Sequence, residues 1–175
     1  MKTKLARYRD EALKDPLTRI NNRRGFGKNL KDTISKSRAD ESSLCLIIAD
    51  IDHFKKINDN HGHLVGDNVL RMVAATVKES IKGRDLAARV GGEEFAILLP
   101  DTPFDGAMKL ADDMRITFER LDLKKKSTGE SLGKITLSFG VANYKKGEAA
   151  EDFVNRADEA LYQSKNTGRN KVTGL

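Results

Sequence analysis

The chain of 175 residues has no tryptophan, one cysteine and three prolines, and aromatic residues make up only 6% of it. A lone thiol, Cys45, makes no internal disulfide, which fits a reducing compartment such as the cytoplasm. It lies inside the apolar run LCLIIAD, so it reads as a buried core thiol rather than a nucleophile. No apolar run reaches the roughly 20 residues of a membrane-spanning helix. The opening MKTKLARYRDEALK is too charged for a signal peptide, so the expected location is cytoplasmic, with a longer parent protein still free to be membrane-anchored. Zinc-ligand spacing and a long basic tract are also missing, so nucleic acid is not an expected partner. What is present is 38% hydrophobic and 33% charged residues, a formal charge of +6 and a pI near 9.4. That balance suits one soluble globular domain with an anionic partner.

Periodicity divides the chain into alternating elements. A short charged helix is expected from about Lys2 to Leu13, with Leu5, Tyr8, Ala12 and Leu13 toward one face. It is either a frayed start or the end of a stalk, with residues 1–14 as linker and 15–175 as the domain. Pro16 breaks it, and Asn21 or Asn22 can cap a second helix to about Arg38. SSLCLIIADID is a strand too apolar to have a wet face. HFKKINDNHG reads as a short helix and loop, and HLVGDNVLRMVAATVKESI as a long amphipathic helix. DLAARV and EEFAILLP form a hairpin joined at Gly91-Gly92. A helix from Pro103 to about Leu121, the strand GKITLSFGVANY, a helix ended by Gly168 and a short strand KVTGL complete the chain. LDLKKKSTGE reads as a solvated loop. Helices alternating with single strands and a hairpin fit an α+β domain on a mixed sheet.

Two acidic clusters carry the chemistry. Asp50 and Asp52 lie where an apolar strand ends, and Glu93 and Glu94 lie in the hairpin turn. Carboxylates from neighbouring strand ends can converge on hard cations such as Mg²⁺. Two such ions can clamp the attacking and leaving oxygens of a phosphoryl transfer. The same residues also suit a surface hairpin with solvated glutamates and an Asp helix cap, and composition does not choose between these. A helix starting at His53-Phe54-Lys55 would offer unpaired N–H groups to an anion beside the acids, and Lys55 adds charge. Asn58 and Asp67 can read a purine edge, or simply belong to a loop and a capped helix. His61 and His63 lack further ligands and do not argue for a metal. Lys165 and Arg169 flank a helix end, where they hold phosphate or complement the dipole.

Five blocks in order, DPLTRINNRR, DIDHFKKINDNHGHLVGD, RVGGEEF, SFGVA and ADEALYQSKNTGRN, resemble the GGDEF domain, the diguanylate cyclase family, over nearly the whole chain from Asp15. The resemblance implies a nucleotidyl-cyclase-like palm with a ferredoxin-like core, a central five-stranded mixed sheet wrapped by helices. It implies condensation of two GTP into cyclic di-GMP with release of two pyrophosphates, and two Mg²⁺ (or Mn²⁺) per active site. By position, Asp50, Glu94, Glu93 and the Ile51 carbonyl would serve the metals, with Glu93 also helping to activate the ribose 3′-hydroxyl. Asn58 and Asp67 would read guanine. Lys55, Lys165, Arg169 and the N–H groups near His53 and Phe54 would hold the β- and γ-phosphates. Gly91 and Gly92 would let the turn close over the nucleotide. Each domain would bind one GTP, so catalysis would need a homodimer, and an upstream sensor domain is expected in the parent protein.

Two stretches depart from the family pattern. The RxxD product site reads KGRD here, with Lys82 in the Arg position and Asp85 kept. Lysine lacks the planar guanidinium fork, so weak or absent product inhibition is expected. Arg19 and Ile20 replace Gly and Leu in the wide turn, which should affect packing more than catalysis. A non-catalytic GTP-binding module and a palm enzyme acting on another nucleotide are the alternatives. Asp50, Glu93 and Glu94 argue against the first, and Asn58 and Asp67 against the second.

Overall fold

The computed structural model describes residues 3–175. Its strands are β1 (Leu44–Ile51), β2 (Leu86–Arg89), β3 (Glu94–Pro100), β4 (Leu137–Asn143) and β5 (Val172–Gly174). Its helices are α1 (Lys4–Glu11), α2 (Arg23–Asp40), α3 (Phe54–His61), α4 (His63–Ser80), α5 (Phe104–Arg120) and α6 (Ala150–Asn166). The strands form one five-stranded sheet in the order β2-β3-β1-β4-β5. All neighbours are antiparallel except β4 and β5, which α6 joins in parallel.

β1 is central, and its apolar run serves both faces as expected. Cys45, Ile47, Ala49 and Ile51 face a core shared with α3, α4 and α5. Leu44, Leu46 and Ile48 face the core under α2 and α6. Burial on both faces is why no polar alternation appears in this strand. The register pairs Asp50 with Glu94 on one side and with Ser138 on the other, so three strands bring polar residues to one end of the sheet.

Close packing fixes α6 over β4. A Cβ at Gly140 would lie 2.2 Å from the Ala157 carbonyl oxygen and 2.2 Å from the Leu161 nitrogen, so helix and strand approach only because that carbon is missing. Ser164 is fully buried and donates its hydroxyl to the Phe139 carbonyl. The helix ends in a Schellman turn: Gly168 has φ 118°, and the Arg169 N–H reaches the Ser164 carbonyl.

α1 is shorter than the Lys2–Leu13 helix expected; Thr3 caps it, and Lys2 lies outside the described residues. It buries no side chain, and Leu5 and Tyr8 are 60% and 63% exposed. α2 begins at Asn22, whose side chain accepts the Gly25 N–H at 2.9 Å. The expected loop around Lys124 is closed by a bridge between Lys124 and Ser131. It forms one wall of an apolar cleft of about 400 Å³ against Val65, Val69 and Met72 of α4.

Candidate active site

Asp50 is the last polar residue of β1, and Glu94 the first residue of β3, paired with it across the ladder. The Ile51 N–H donates to the Glu93 carbonyl, which extends that pairing into the turn. Val90 and Gly91 donate their N–H groups to the Glu94 carbonyl. Both glycines of the turn have ordinary negative-side backbone, so their role is space rather than left-handed geometry. A Cβ at Gly91 would crowd Glu94 Cβ at 3.2 Å, and one at Gly92 would point into open volume. Room for a ligand is present over Gly92.

The Arg89 guanidinium braces this turn. Its Nη2 donates to the Gly92 carbonyl at 2.7 Å, and its Nη1 lies 3.3 Å from Asp15. Asp15 in turn accepts the Thr18 N–H and hydroxyl at 2.8 and 2.7 Å. Neither Arg89 nor Asp15 was singled out for the site from sequence. The arginine immediately before the turn residues was the signal available.

Burial raises the pKa of Asp50, Glu93 and Glu94 above the ordinary carboxylate range. The Asp50 charge adds to it at Glu93, and Asp158 and Asp50 add to it at Glu94. At Asp50 the Lys165 ammonium works the other way. Such a gathering of like charge is costly unless a cation shares it. Lys165 supplies one here: its ammonium bonds Asp50 and lies 3.4 Å from Asp52. Lys165, expected on phosphate, therefore sits on a candidate metal ligand.

Among the described residues no three His, Cys, Asp or Glu side chains form a ready-made metal cage. Mg²⁺ ordinarily takes one or two carboxylates and completes its octahedron with substrate phosphates and water. The donor set of Asp50, Glu94 and nearby carbonyls fits that habit, and the ammonium on Asp50 marks where positive charge is wanted.

Asp52 is not the helix cap that its position suggests. It is 4% exposed, and its carboxylate accepts hydroxyls from Thr136 and Ser138 and the Asn170 N–H. The start of α3 falls instead to His53, which has φ 55° and makes no side-chain cap. Phe54 is buried and Lys55 exposed at the first turn, where the leading N–H groups of a helix lack intrahelical partners. Asn58 in α3 and Asp67 in α4 are both half-buried. The Asn58 amide lies where a Cβ on Gly66 would be, 1.8 Å from Oδ1. Gly66 thus leaves the space the amide fills, next to Asp67.

Lys82 and Asp85 lie apart from this centre. The Asp85 carboxylate accepts the Lys82 N–H at 2.9 Å, and its other oxygen is buried without a partner. They border a cleft of about 290 Å³ with Lys14, Arg19 and Lys78. Arg19 holds φ 65°, so the expected departure at this turn is a side chain on left-handed backbone, while Ile20 joins the core at 6% exposure. The larger cleft beside α4 is lined by apolar side chains, Asn68, Arg71 and lysines, without a carboxylate, and offers no metal chemistry.

The five-stranded sheet, with acids at one end and the Lys165 ammonium against Asp50, has the palm fold of the nucleotidyl-cyclase class. Comparison with known proteins narrows this. The family model for the diguanylate cyclase GGDEF domain matches residues 12–171, and the chain belongs to that family. It is 39% identical over its whole length to diguanylate cyclase VdcA of Vibrio cholerae, and spans 50% of that protein. It is also 39% identical, over 94% of its length, to diguanylate cyclase DgcP of Pseudomonas aeruginosa, of which it covers 24%. The chain thus spans half or less of these curated relatives. The coiled coil and GGDEF domain of Caulobacter crescentus DgcB, solved with c-di-GMP, superposes with a TM-score of 0.95. Identity there is 38%, covering 98% of this chain and 90% of that one.

Proposed function

We propose that this domain is a diguanylate cyclase that condenses two GTP into cyclic di-GMP, each of two facing domains presenting one GTP to the other. The observation that carries the reading is the register of β1 on β3, which sets Asp50 opposite Glu94 with Glu93 at the turn. Family membership and relatives named as diguanylate cyclases support it.

Asp50, Glu94, Glu93 and the Ile51 carbonyl would hold Mg²⁺ or Mn²⁺, two per site, which when bound offsets charge on the α-phosphate and the leaving pyrophosphate. Asn58 and Asp67 hold the guanine edge, the carboxylate accepting from N1–H and N2–H₂. Lys55, Arg169 and the first N–H groups of α3 at His53 and Phe54 hold the β- and γ-phosphates. Lys165 joins them once its hold on Asp50 is exchanged. Glu93, raised by burial and by Asp50, is suited to accept the proton of the incoming 3′-hydroxyl. The 3′-oxygen bonds the α-phosphorus of the facing GTP in line as the bond to pyrophosphate breaks. Gly91 and Gly92 leave room for the phosphates over the turn. Because both nucleotides must meet, activity depends on a two-fold homodimer. An input region elsewhere in the parent protein fits relatives of which this chain covers half or less.

The test is product analysis. Purified domain is incubated with GTP and Mg²⁺ over a range of protein concentrations, beside Glu94→Ala. Cyclic di-GMP rising more steeply than linearly with protein, and absent from the variant, is the expected result. Bound but unconverted GTP at every concentration, even with a dimeric coiled coil fused on, would overturn it.

A further inference from the structure

Asp52 is a buried carboxylate for which the reaction above has no use. It is 4% exposed, yet every acceptor position on it is engaged. Oδ1 accepts the Ser138 hydroxyl at 2.7 Å and lies 3.4 Å from the Lys165 ammonium. Oδ2 accepts the Thr136 hydroxyl at 2.8 Å and the Asn170 N–H at 3.0 Å. Its own N–H donates to the Thr136 carbonyl at 2.9 Å, so its backbone is pinned to the same segment. Burying a charge this fully is costly, and removal of one partner of such a group is among the more damaging single changes. An apolar side chain here would leave the Thr136 and Ser138 hydroxyls and the Asn170 N–H without their acceptor.

The partners explain the carboxylate. Ser138 and Thr136 are fixed: one is fully buried in β4 and the other immediately precedes that strand. The other two belong to the phosphate-binding end of α6. Lys165 is in its last turn, and Asn170 follows Arg169 in the turn beyond. Arg169 and Asn170 both hold left-handed backbone, φ 62° and 46°, a conformation that non-glycine residues adopt only when something holds them there. The Asn170 N–H on Asp52 and the Arg169 N–H on Ser164 are such holds, and the Asn170 amide oxygen also accepts from Arg115 at 3.3 Å.

Asp50 and Asp52 share the Lys165 ammonium, but they are not equivalent. Asp50 stands at the edge of the site facing Glu94, whereas Asp52 is committed to the protein on every side. When Asp50 is engaged elsewhere, Asp52 still faces Lys165. We propose that Asp52 is the positioning residue of the phosphate-binding cations: it aims the Lys165 ammonium and fixes the turn that presents Arg169. It touches no substrate, and its effect falls on the β- and γ-phosphates rather than on the base. This rests on the reading of the domain as a GTP enzyme.

The discriminating measurement is affinity for 3′-deoxy-GTP, which cannot react, against GMP, both with Mg²⁺, by titration calorimetry. Wild type, Asp52→Asn, Lys165→Ala and the double variant are compared, with folding checked by circular dichroism melts. Asp52→Asn is expected to weaken triphosphate binding about tenfold, the scale of one charge-assisted contact, and to leave GMP within about twofold. In the Lys165→Ala background the same change should cost clearly less, because one of its two routes is gone. Equal losses for both nucleotides, or no loss for either, would show a merely structural carboxylate and overturn the proposal. A wild type that prefers the triphosphate and loses that preference in Lys165→Ala, but not in Asp52→Asn, overturns this inference and leaves the functional reading standing. A wild type with no preference for triphosphate overturns both. Should Asp52→Asn not fold, Ser138→Ala keeps the carboxylate but loosens it, and is expected to cut the triphosphate preference about two- to threefold. An unchanged ratio there overturns the proposal.

Discussion

Arg89 and Asp15 lie 74 positions apart and meet at 3.3 Å, while the same guanidinium holds the Gly92 carbonyl at 2.7 Å. One side chain therefore ties the wide turn before α2 to the turn that carries Glu93 and Glu94. Arg89→Ala should cost about 1–3 kcal/mol of stability, since the partners are mostly buried, and lower kcat at least tenfold. Chemical denaturation and steady-state kinetics check both. Loss of stability with unchanged kcat would show that the brace serves the fold alone.

Asp15 also makes a pH prediction. Burial pushes its carboxyl up, but the Thr18 hydroxyl, the Thr18 N–H and Arg89 outweigh this and hold it below its ordinary value of 3.8. A carboxyl depressed in the fold stabilises it at pH above that ordinary value, and the contribution fades as pH falls through the depressed one. Asp15→Asn should therefore be the less stable protein at pH 7, with the gap closing below pH 3.8. A gap of the same size in denaturation curves at pH 7 and pH 3 would contradict this.

Gly66 is predicted to act through Asn58. An alanine methyl at that position would occupy the place of the Asn58 amide oxygen, so the amide must turn away. Gly66→Ala should raise KM for GTP about tenfold or more, the scale of a lost base-reading contact, and narrow the discrimination between GTP and ATP. Competition kinetics measure it. Intact selectivity would place base recognition elsewhere.

The acids at the strand end should trade stability for function. Asp50, Glu93 and Glu94 are all raised by burial, with Asp52 adding to it at Asp50, Asp50 at Glu93, and Asp158 and Asp50 at Glu94, so their ionised forms at neutral pH are less favourable folded than unfolded. Glu94→Gln removes one charge at constant shape. It should abolish product formation yet melt at a higher temperature than wild type without metal, by a few degrees. Mg²⁺ should raise the wild-type midpoint and move the variant less. A variant that melts lower in chelator would show that Glu94 is stabilising in its own right.

Product inhibition is expected to be weak. Lys82 has no guanidinium fork, and the Asp85 carboxylate already accepts the Lys82 N–H within its own turn. Inhibition assays with cyclic di-GMP should find no strong effect. A submicromolar constant abolished by Asp85→Ala would reverse that expectation.

The sheet and its helices were largely legible because burial writes periodicity into the chain. LCLIIADI lacks polar alternation since β1 is covered on both faces, and α4 carries its apolar stripe openly. Asp50, Glu93 and Glu94 could be named from sequence because they abut strands. Asp52 could not be placed: its partners Thr136 and Asn170 lie 84 and 118 positions away, and a carboxylate before a helix reads first as a cap. β4 begins at Leu137 rather than Gly133, although Ile135 is buried. Arg19, His53, Arg169 and Asn170 take left-handed backbone with ordinary side chains, which no glycine announces. Lys165 was assigned to phosphate by position, and its contact with Asp50 arises only when α6 closes over β4.

The pairing of β1 with β3 advances in whole residues. Asp50 faces Glu94, which Glu93 precedes in the turn and Phe95 follows on β3. A slip of one place would turn every side chain of the strand to the opposite face, bringing the cores of both layers into conflict. The spacing of the acids is therefore graduated like a ruler with no marks between residues. The ladder keeps the acids in step, and a fault in it removes the centre at a stroke rather than by degrees.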